Sequence, residues 1–277
     1  MAVFQAFSAQ IYLCSDFEIP RSGMFEKGMV IAMRIILIRH GDPDYGKDAL
    51  TEKGIREAQL LSERCANWNA ITEIYCSPYG RAKETASYST KRMNRDAVIL
   101  PWLHEFDYAI DDPITGRHGV PWDFMPEYWT EIPEMYEKEG WKETEIYRSN
   151  PSLVPAYNDV CRHLDELLGT YGYRRYHNYY QTDHTPTENP AEQDATIVCF
   201  CHLGIILVML SHLLGISPAV LFHSFYIAPT SVTILAAEER MPGKASFRVQ
   251  VMGDTSHLRI GGEKVSASGY FADTFSD

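Results

Sequence analysis

The sequence lacks a hydrophobic run long enough to cross a bilayer. Its longest apolar stretch, residues 205–214, is interrupted by Ser211 and His212, whereas a membrane-spanning helix needs about 20 consecutive apolar residues. The first 32 residues also lack the basic start, apolar middle and small-residue cleavage site of a secretory signal peptide. We therefore expect no membrane partner and a cytoplasmic location.

Basic residues are scarce relative to acidic ones. The 277 residues include 25 Lys and Arg against 37 Asp and Glu, which gives a formal net charge of −12. A surface of this sign repels polyanions and excludes broad electrostatic binding to nucleic acid. An anionic ligand must therefore bind in a local basic pocket.

Cysteine is also sparse. The six cysteines are scattered, none belongs to a Cys-x-x-Cys pair, and only Cys199 and Cys201 lie close together. This spacing favours free thiols over a disulfide framework. The remaining composition, 45% hydrophobic and 22% charged, is typical of a globular protein with a core of its own.

The hydrophobic pattern divides the chain at Met33. Residues 1–32 show no sustained period, and we interpret them as an N-terminal extension that is not essential, with Met33 as the natural start. A regulatory arm is the alternative interpretation of this segment. We expect residues 33–277 to form one domain.

From Met33 onward, short apolar strands alternate with amphipathic helices, which predicts an α/β fold with a mostly parallel central sheet covered on both faces. Residues 107–151 are rich in proline and tryptophan and predict an inserted segment with short helices. The tyrosine-rich stretch that ends at Asn189 predicts an exposed excursion. Strands are predicted over residues 35–38, 71–76, 98–100, 196–201, 231–236 and 247–252, and helices over about 50–66, 78–91, 157–168 and 204–214.

Groups that handle anions and protons follow four of the predicted strands. Arg39 and His40 come after the first strand, Arg81 after the second, Glu105 after the third and His202 after the fourth. Because the carboxyl ends of parallel strands share one edge of a sheet, we expect these side chains to converge. Two arginines, two histidines and one carboxylate describe a pocket for a phosphoryl group.

Five motifs containing or flanking these residues occur in a recognisable order. They are Ile-Arg-His-Gly at 38–41, Leu-Thr-x-x-Gly at 50–54, Ser-Pro-x-x-Arg-Ala-x-x-Thr-Ala at 77–86, Leu-x-Glu at 103–105 and Cys-His-Leu-Gly at 201–204. In this combination the chain resembles the histidine phosphatase superfamily, in its phosphoglycerate-mutase-like branch (branch 1). The resemblance implies a three-layer α/β/α fold and phosphoryl transfer through a phosphohistidine, with no metal or other cofactor.

Phosphoryl transfer suggests a role for each residue. His40 is the predicted nucleophile, which requires a neutral imidazole. Arg39, Arg81 and His202 are predicted to bind the phosphate and to lower the pKa of His40. Glu105 is the predicted general acid and base, with a pKa raised by burial.

Competing assignments remain for several acidic residues. Asp107 is an alternative candidate for the general acid and base. We expect Trp102 and Phe106 to bury the Glu105 carboxyl. Asp42 and Asp44 could join His40 in a metal cluster, but the flanking arginines would oppose a cation.

The motifs depart from the family pattern in two places, and one tripeptide is repeated. Asp42-Pro43 stands where the family often has an acidic residue and then Thr or Ser, and Leu203 replaces a frequent glycine. Arg-His-Gly recurs at 117–119 without a preceding strand, so we interpret that copy as a surface loop or a substrate contact.

These observations predict a phosphomonoesterase that acts on a small phosphorylated metabolite. A mutase-like phosphotransferase and a non-catalytic phosphate-binding regulatory module are the alternatives, and the oligomeric state is left open. The insertion is predicted to cover the pocket as a lid with an aromatic wall from Trp122 or Trp129. His257 is a candidate for the pocket rim.

Overall fold

The computed structural model describes residues 33–68, 70–183 and 194–275. The predicted N-terminal extension and the end of the tyrosine-rich stretch lie outside these ranges. The strands are β1 (Met33–Arg39), β2 (Pro43–Asp44), β3 (Ala49–Leu50), β4 (Glu73–Cys76), β5 (Val98–Ile99), β6 (Ile110–Asp111), β7 (His118–Gly119), β8 (Tyr173–Tyr176), β9 (Tyr179–Thr182), β10 (Ala195–Cys201), β11 (Val232–Met241) and β12 (Lys244–Asp254). The helices are α1 (Glu52–Cys65), α2 (Gly80–Met93), α3 (Pro126–Trp129), α4 (Glu145–Arg148), α5 (Leu153–Gly169), α6 (Leu203–Leu214), α7 (Pro218–Ser224) and α8 (Ser256–Ile260), with 3-10 turns at Pro101–Leu103, Pro133–Tyr136 and Gly140–Glu143.

The central sheet has eight strands in the order β5-β4-β10-β1-β11-β12-β9-β8. The first four are parallel to one another, and the other four pair antiparallel. The parallel half brings the carboxyl ends of β4, β10 and β1 to one edge, where ligand sites of open α/β sheets form.

The sheet is covered on both faces because its central strands are apolar on both sides. In β1, Ile35 and Leu37 belong to one buried cluster with α5, α6 and α7, whereas Ile36 and Ile38 belong to a second cluster with α1 and α2. The side-chain period of two in a strand produces this division. The predicted three-layer α/β/α class is therefore confirmed.

The tyrosine-rich stretch differs from its prediction. Its first part is not an exposed excursion but the hairpin β8–β9, which joins the sheet edge through β12. Tyr173 and Tyr180 are buried, and both rings pack on Phe247. One face of the hairpin thus supplies buried tyrosine rings to the core. The prediction was wrong because the segment is polar on average, although its two faces differ.

The inserted segment contains only short elements, and these pack mainly against α5 and α7. Its buried residues Phe124, Trp141 and Tyr147 belong to the same cluster as α6. The helix α6 is itself apolar on all sides because it is surrounded by α5, α7 and the strands β1 and β12. In the described part of the chain, every helix is too short or too polar to traverse a bilayer.

Candidate active site

The ends of two adjacent parallel strands place the two predicted histidines side by side. In the register of β1 and β10, Arg39 lies opposite Cys201, so His40 and His202 each follow the last residue of their strand. The His40 N–H donates to the Cys201 carbonyl at 3.0 Å, and the two imidazole rings lie 5.1 Å apart between centroids. Both side chains are buried.

The proton of His40 is located by its hydrogen bond. Nδ1 lies 2.7 Å from the Gly41 carbonyl, and because a carbonyl only accepts, Nδ1 carries the hydrogen in the neutral ring. Nε2 is then unprotonated. Burial, followed by the charges of Arg39 and Arg81, lowers the pKa of His40 well below its ordinary value. The imidazole is therefore neutral at pH 7, as a nucleophilic role would require.

The two arginines reach this centre from β1 and α2, and both are buried. Arg39 Nη1 donates to the Ile227 carbonyl at 2.7 Å, and Arg81 Nη1 donates to Asp48 Oδ1 at 2.7 Å. The Nε atom of each guanidinium has no hydrogen-bond partner in the part of the chain that is described. Buried donors without acceptors are costly, so the pair is suited to an anionic ligand.

Asp48 is a site residue that the sequence analysis missed. Besides Arg81, its carboxylate accepts the Gly80 N–H at 2.5 Å, which fixes the first turn of α2. The Arg81 guanidinium also lies 5.3 Å and 5.0 Å from the ring centroids of Tyr45 and Tyr79. No motif marks Asp48, because its role arises only from the packing of two segments.

His202 is oriented by the strand–helix junction after β4. Its Nε2 lies 2.7 Å from Ser77 Oγ, and that hydroxyl already accepts the Tyr79 N–H at 3.2 Å. The Ser77 hydroxyl can therefore donate its hydrogen to His202 Nε2. In that arrangement the ring hydrogen of His202 is on Nδ1, an atom that has no partner among the described residues. Burial, and then the charges of His40 and the arginines, lower the pKa of His202 well below its ordinary value.

Glu105 lies between the insertion and the start of α6. Its Oε1 accepts the N–H groups of Phe106 at 2.8 Å, Gly204 at 2.9 Å and Ile205 at 3.3 Å. Burial nevertheless raises the pKa of Glu105 above its ordinary value, against these bonds and the nearby arginine charges. A Cβ on Gly204 would lie 2.6 Å from the Trp122 ring and 2.8 Å from Glu105 Oε1, so Trp122 closes this side of the site.

Two tryptophans named with Glu105 or with the lid pack on other side chains, whereas Asp107 lies close enough to Tyr79 for its charge to act on that residue. Trp102 stacks on His163, with ring planes 9° apart, so it is not the cause of the burial of Glu105. Trp129 stacks on His223, which leaves Trp122 as the aromatic wall. The side chain of Asp107 is exposed.

The backbone around His40 is packed too closely for any side chain. A Cβ on Gly41 would lie 2.8 Å from the Gly54 carbonyl oxygen, and one on Gly54 would lie 2.2 Å from the Asp42 carbonyl oxygen. The Gly41 N–H donates to Thr85 Oγ1 at 2.9 Å, and Thr85 donates to the Arg81 carbonyl at 2.7 Å. The second and third motifs therefore support the loop that carries the first.

Asp42 and Asp44, the acidic residues that follow His40, are bonded to protein groups. Asp42 accepts the hydroxyls of Thr51 and Ser266, and Asp44 pairs with the exposed Lys47. Over residues 33–68, 70–183 and 194–275, no three His, Cys, Asp or Glu side chains are grouped as a metal site. The five described cysteines are free and buried, and Cys14 lies outside the described residues.

The remaining histidine candidates do not reach the centre. The second Arg-His-Gly forms part of the exposed β6–β7 hairpin, where His118 Nδ1 lies 2.7 Å from Asp111. His257 is buried rather than at a rim, and its Nε2 lies 3.2 Å from Thr230 Oγ1. The Thr230 N–H bonds to the carbonyls of Arg39 and His40, so His257 lies behind the loop.

Comparison with known proteins agrees with this geometry. Residues 35–142 match the model of the histidine phosphatase superfamily (branch 1). No curated protein sequence matches the chain.

Several solved structures share the fold at low sequence identity. A mycobacterial glucosyl-3-phosphoglycerate phosphatase is 17% identical with a TM-score of 0.51, over 80% of this chain and 99% of its own. A phosphoserine phosphatase from Entamoeba histolytica is 19% identical with a TM-score of 0.50, over 82% and 99%. A phosphoglycerate mutase from Bacillus anthracis is 15% identical with a TM-score of 0.51, over 86% and 100%. Over residues 35–142 this chain is similar to the histidine phosphatase superfamily (branch 1), and its fold is that of these phosphatase and mutase structures.

Proposed function

We propose that this protein is a metal-independent phosphomonoesterase that hydrolyses a small phosphorylated metabolite through a phosphohistidine on His40. The observation that carries the proposal is the unprotonated His40 Nε2 in a buried site where Arg39, Arg81 and His202 each have a polar atom without a partner in the described chain. Such groups match the oxygens of a phosphoryl dianion.

In the first step, His40 Nε2 attacks phosphorus and the bond to the ester oxygen breaks. Arg39, Arg81 and His202 hold the phosphoryl oxygens and stabilise their charge in the transition state. The leaving oxygen takes a proton from Glu105, which the raised pKa of that carboxyl supports.

In the second step, water replaces the leaving group. The Glu105 carboxylate accepts a proton from the water as the oxygen attacks phosphorus, the P–N bond breaks, and inorganic phosphate is released. His40 returns to its neutral form, and Glu105 is again protonated. Proton transfer of this kind contributes about 10²–10⁴-fold to a rate.

The test is turnover of 4-nitrophenyl phosphate together with acid-labile phosphate on quenched enzyme. His40→Ala should abolish both, with an unchanged circular dichroism spectrum. Glu105→Gln should slow steady-state turnover by about 10²-fold or more and increase the amount of trapped phosphohistidine. The first step should persist because 4-nitrophenol is a good leaving group that needs no acid, whereas the second step needs a base to activate water.

Two results would contradict the proposal. Equal turnover by His40→Ala would exclude the nucleophile, and folded wild-type protein that binds vanadate without any turnover would favour the non-catalytic module. Phosphohistidine that passes its phosphoryl group to a substrate hydroxyl far faster than to water would instead identify a mutase.

A further inference from the structure

A cavity of about 420 Å³ extends from the candidate active site. Two residues of the cavity wall adjoin the site. Leu203 directly follows His202 in the sequence, and the Trp122 ring lies beside Glu105 where both approach Gly204. On the opposite side, a Cβ on the wall residue Gly269 would lie 3.3 Å from Arg39 Nη2. The cavity therefore lies where it could receive the organic part of a ligand whose phosphate binds the arginines.

The walls of the cavity are largely aromatic. The Trp122 and Phe222 rings lie 5.4 Å apart between centroids, and the Tyr226 and Tyr270 rings stack at 4.5 Å. The Tyr226 hydroxyl is already used, since it donates to the Ser266 carbonyl. A volume of this size and lining suits a flat apolar group.

Asp123 is the one carboxylate on this wall. It is half-buried, and it has no hydrogen bond or ion pair with any residue in the described ranges. Its backbone has a φ of 67°, a left-handed conformation that is unfavourable for most side chains. Burial raises the pKa of Asp123 to about 6, so the group is mostly ionised at neutral pH.

The charge of Arg117 acts on Asp123, but Arg117 is not part of the cavity wall and forms no ion pair or hydrogen bond with it among the described residues. The wall contains no lysine or arginine among the residues described. Its histidine, His223, is uncharged because burial lowers its pKa to about 4. A half-buried carboxylate on an aromatic cavity wall, with no hydrogen-bond donor among the described residues, is available to a ligand that donates a hydrogen bond.

We propose that Asp123 determines substrate specificity by accepting a hydrogen bond from the organic part of the substrate. The substrate class is then a phosphomonoester of a flat apolar group that carries an ammonium or hydroxyl donor away from the phosphate. This inference rests on the proposed function and specifies its substrate.

The test uses phenyl phosphates that differ only in the para group. The donors are aminomethyl, 2-aminoethyl and hydroxymethyl, and the isosteric ethyl compound has no donor. For wild-type protein, kcat/KM should be about tenfold higher for at least one donor compound than for the ethyl compound, the scale of one charge-assisted hydrogen bond. Asp123→Asn, which tolerates the left-handed backbone, should remove the preference for the ammonium compounds and leave the ethyl compound within about twofold.

Dissociation constants of the same compounds for His40→Ala and for His40→Ala/Asp123→Asn separate this inference from the proposed function. If wild-type protein hydrolyses none of the compounds, the phosphatase proposal fails, and the ratio of dissociation constants still decides the role of Asp123. Asp111→Asn, an exposed carboxylate of the same insertion, is the matched control and should change nothing. Equal binding and turnover of ethyl and donor compounds, or an equal loss for all of them in Asp123→Asn, would overturn the inference.

Discussion

At the scale of single residues, the chemistry depends on which nitrogen of His40 carries the hydrogen. The Gly41 carbonyl holds the hydrogen on Nδ1, and the arginine charges keep the ring from gaining a second one. Glu105 has the opposite requirement, because it must be protonated to release the leaving group. Activity should therefore rise with pH through the lowered pKa of His40 and fall again through the raised pKa of Glu105.

Asp48 offers a residue-scale prediction that is separate from the reacting groups. Asp48→Asn should raise KM for 4-nitrophenyl phosphate by about tenfold with a smaller change in kcat, because an amide holds the Arg81 guanidinium less firmly than a carboxylate. The inhibition constant of vanadate should rise in parallel. Asp44→Asn is the control, since the bonds described for the Asp44 carboxylate go to Lys47 and to the Gly46 N–H, both in its own loop. An unchanged KM in Asp48→Asn would show that Arg81 needs no such support.

At the scale of elements, the nucleophile loop is positioned by helix starts rather than by the sheet alone. Thr51 is the N-cap of α1, and its side chain accepts the Gly54 N–H, which brings Gly54 against the backbone of residues 41 and 42. Gly54 of the second motif is thus required because its backbone lies against the backbone of residues 41 and 42, with no room for a side chain.

Gly54→Ala tests this contact. The added methyl group would meet the Asp42 carbonyl oxygen at 2.2 Å, so we expect a loss of about 1–3 kcal/mol in the free energy of unfolding and a lower kcat. Gly169→Ala is the control, because a Cβ there meets nothing within 4 Å. Urea denaturation of both variants measures the difference. Equal free energies of unfolding for the two variants would mean that the loop after His40 can move to accept the methyl group without loss of stability.

At the scale of the whole molecule, a chain of net charge −12 can bind the proposed phosphorylated substrate only because the pocket acts at contact distance. At physiological ionic strength, charges beyond about 8 Å are largely screened. The same molecule buries Glu57, whose Oε2 accepts the Asp42 N–H at 2.8 Å. Burial raises the pKa of Glu57 to about 7, which couples global stability to pH.

The sign of this coupling follows from proton binding. Between the ordinary pKa of Glu57 near 4.5 and its folded value of about 7, the folded state holds a proton that the unfolded state has lost. The contribution of Glu57 to stability therefore falls as pH rises through this window, by up to about 3 kcal/mol. Glu57→Gln should remove that slope, so its stability relative to wild type should increase from pH 4.5 to pH 7 in urea denaturation. A constant difference would contradict the prediction.

Much of this architecture is encoded locally. The continuous apolar run in β1 predicts a strand buried on both faces, and this determines the three-layer arrangement. The positions of His40, Arg81, Glu105 and His202 after strands follow from the same pattern. The insertion's lack of long elements is also visible in its composition.

Residues that act through distant partners could not be predicted in this way. Asp48 and Asp123 resemble ordinary surface aspartates in the sequence, and the hairpin of Tyr173 and Tyr180 resembles a polar loop. The sequence by itself determined the central strands, the long helices and the candidate site residues that follow the strands, because these depend on neighbours along the chain. Only the tertiary structure decided which carboxylate holds Arg81, which tryptophan closes the site and where a carboxylate is left without a partner, because those outcomes depend on contacts between distant segments.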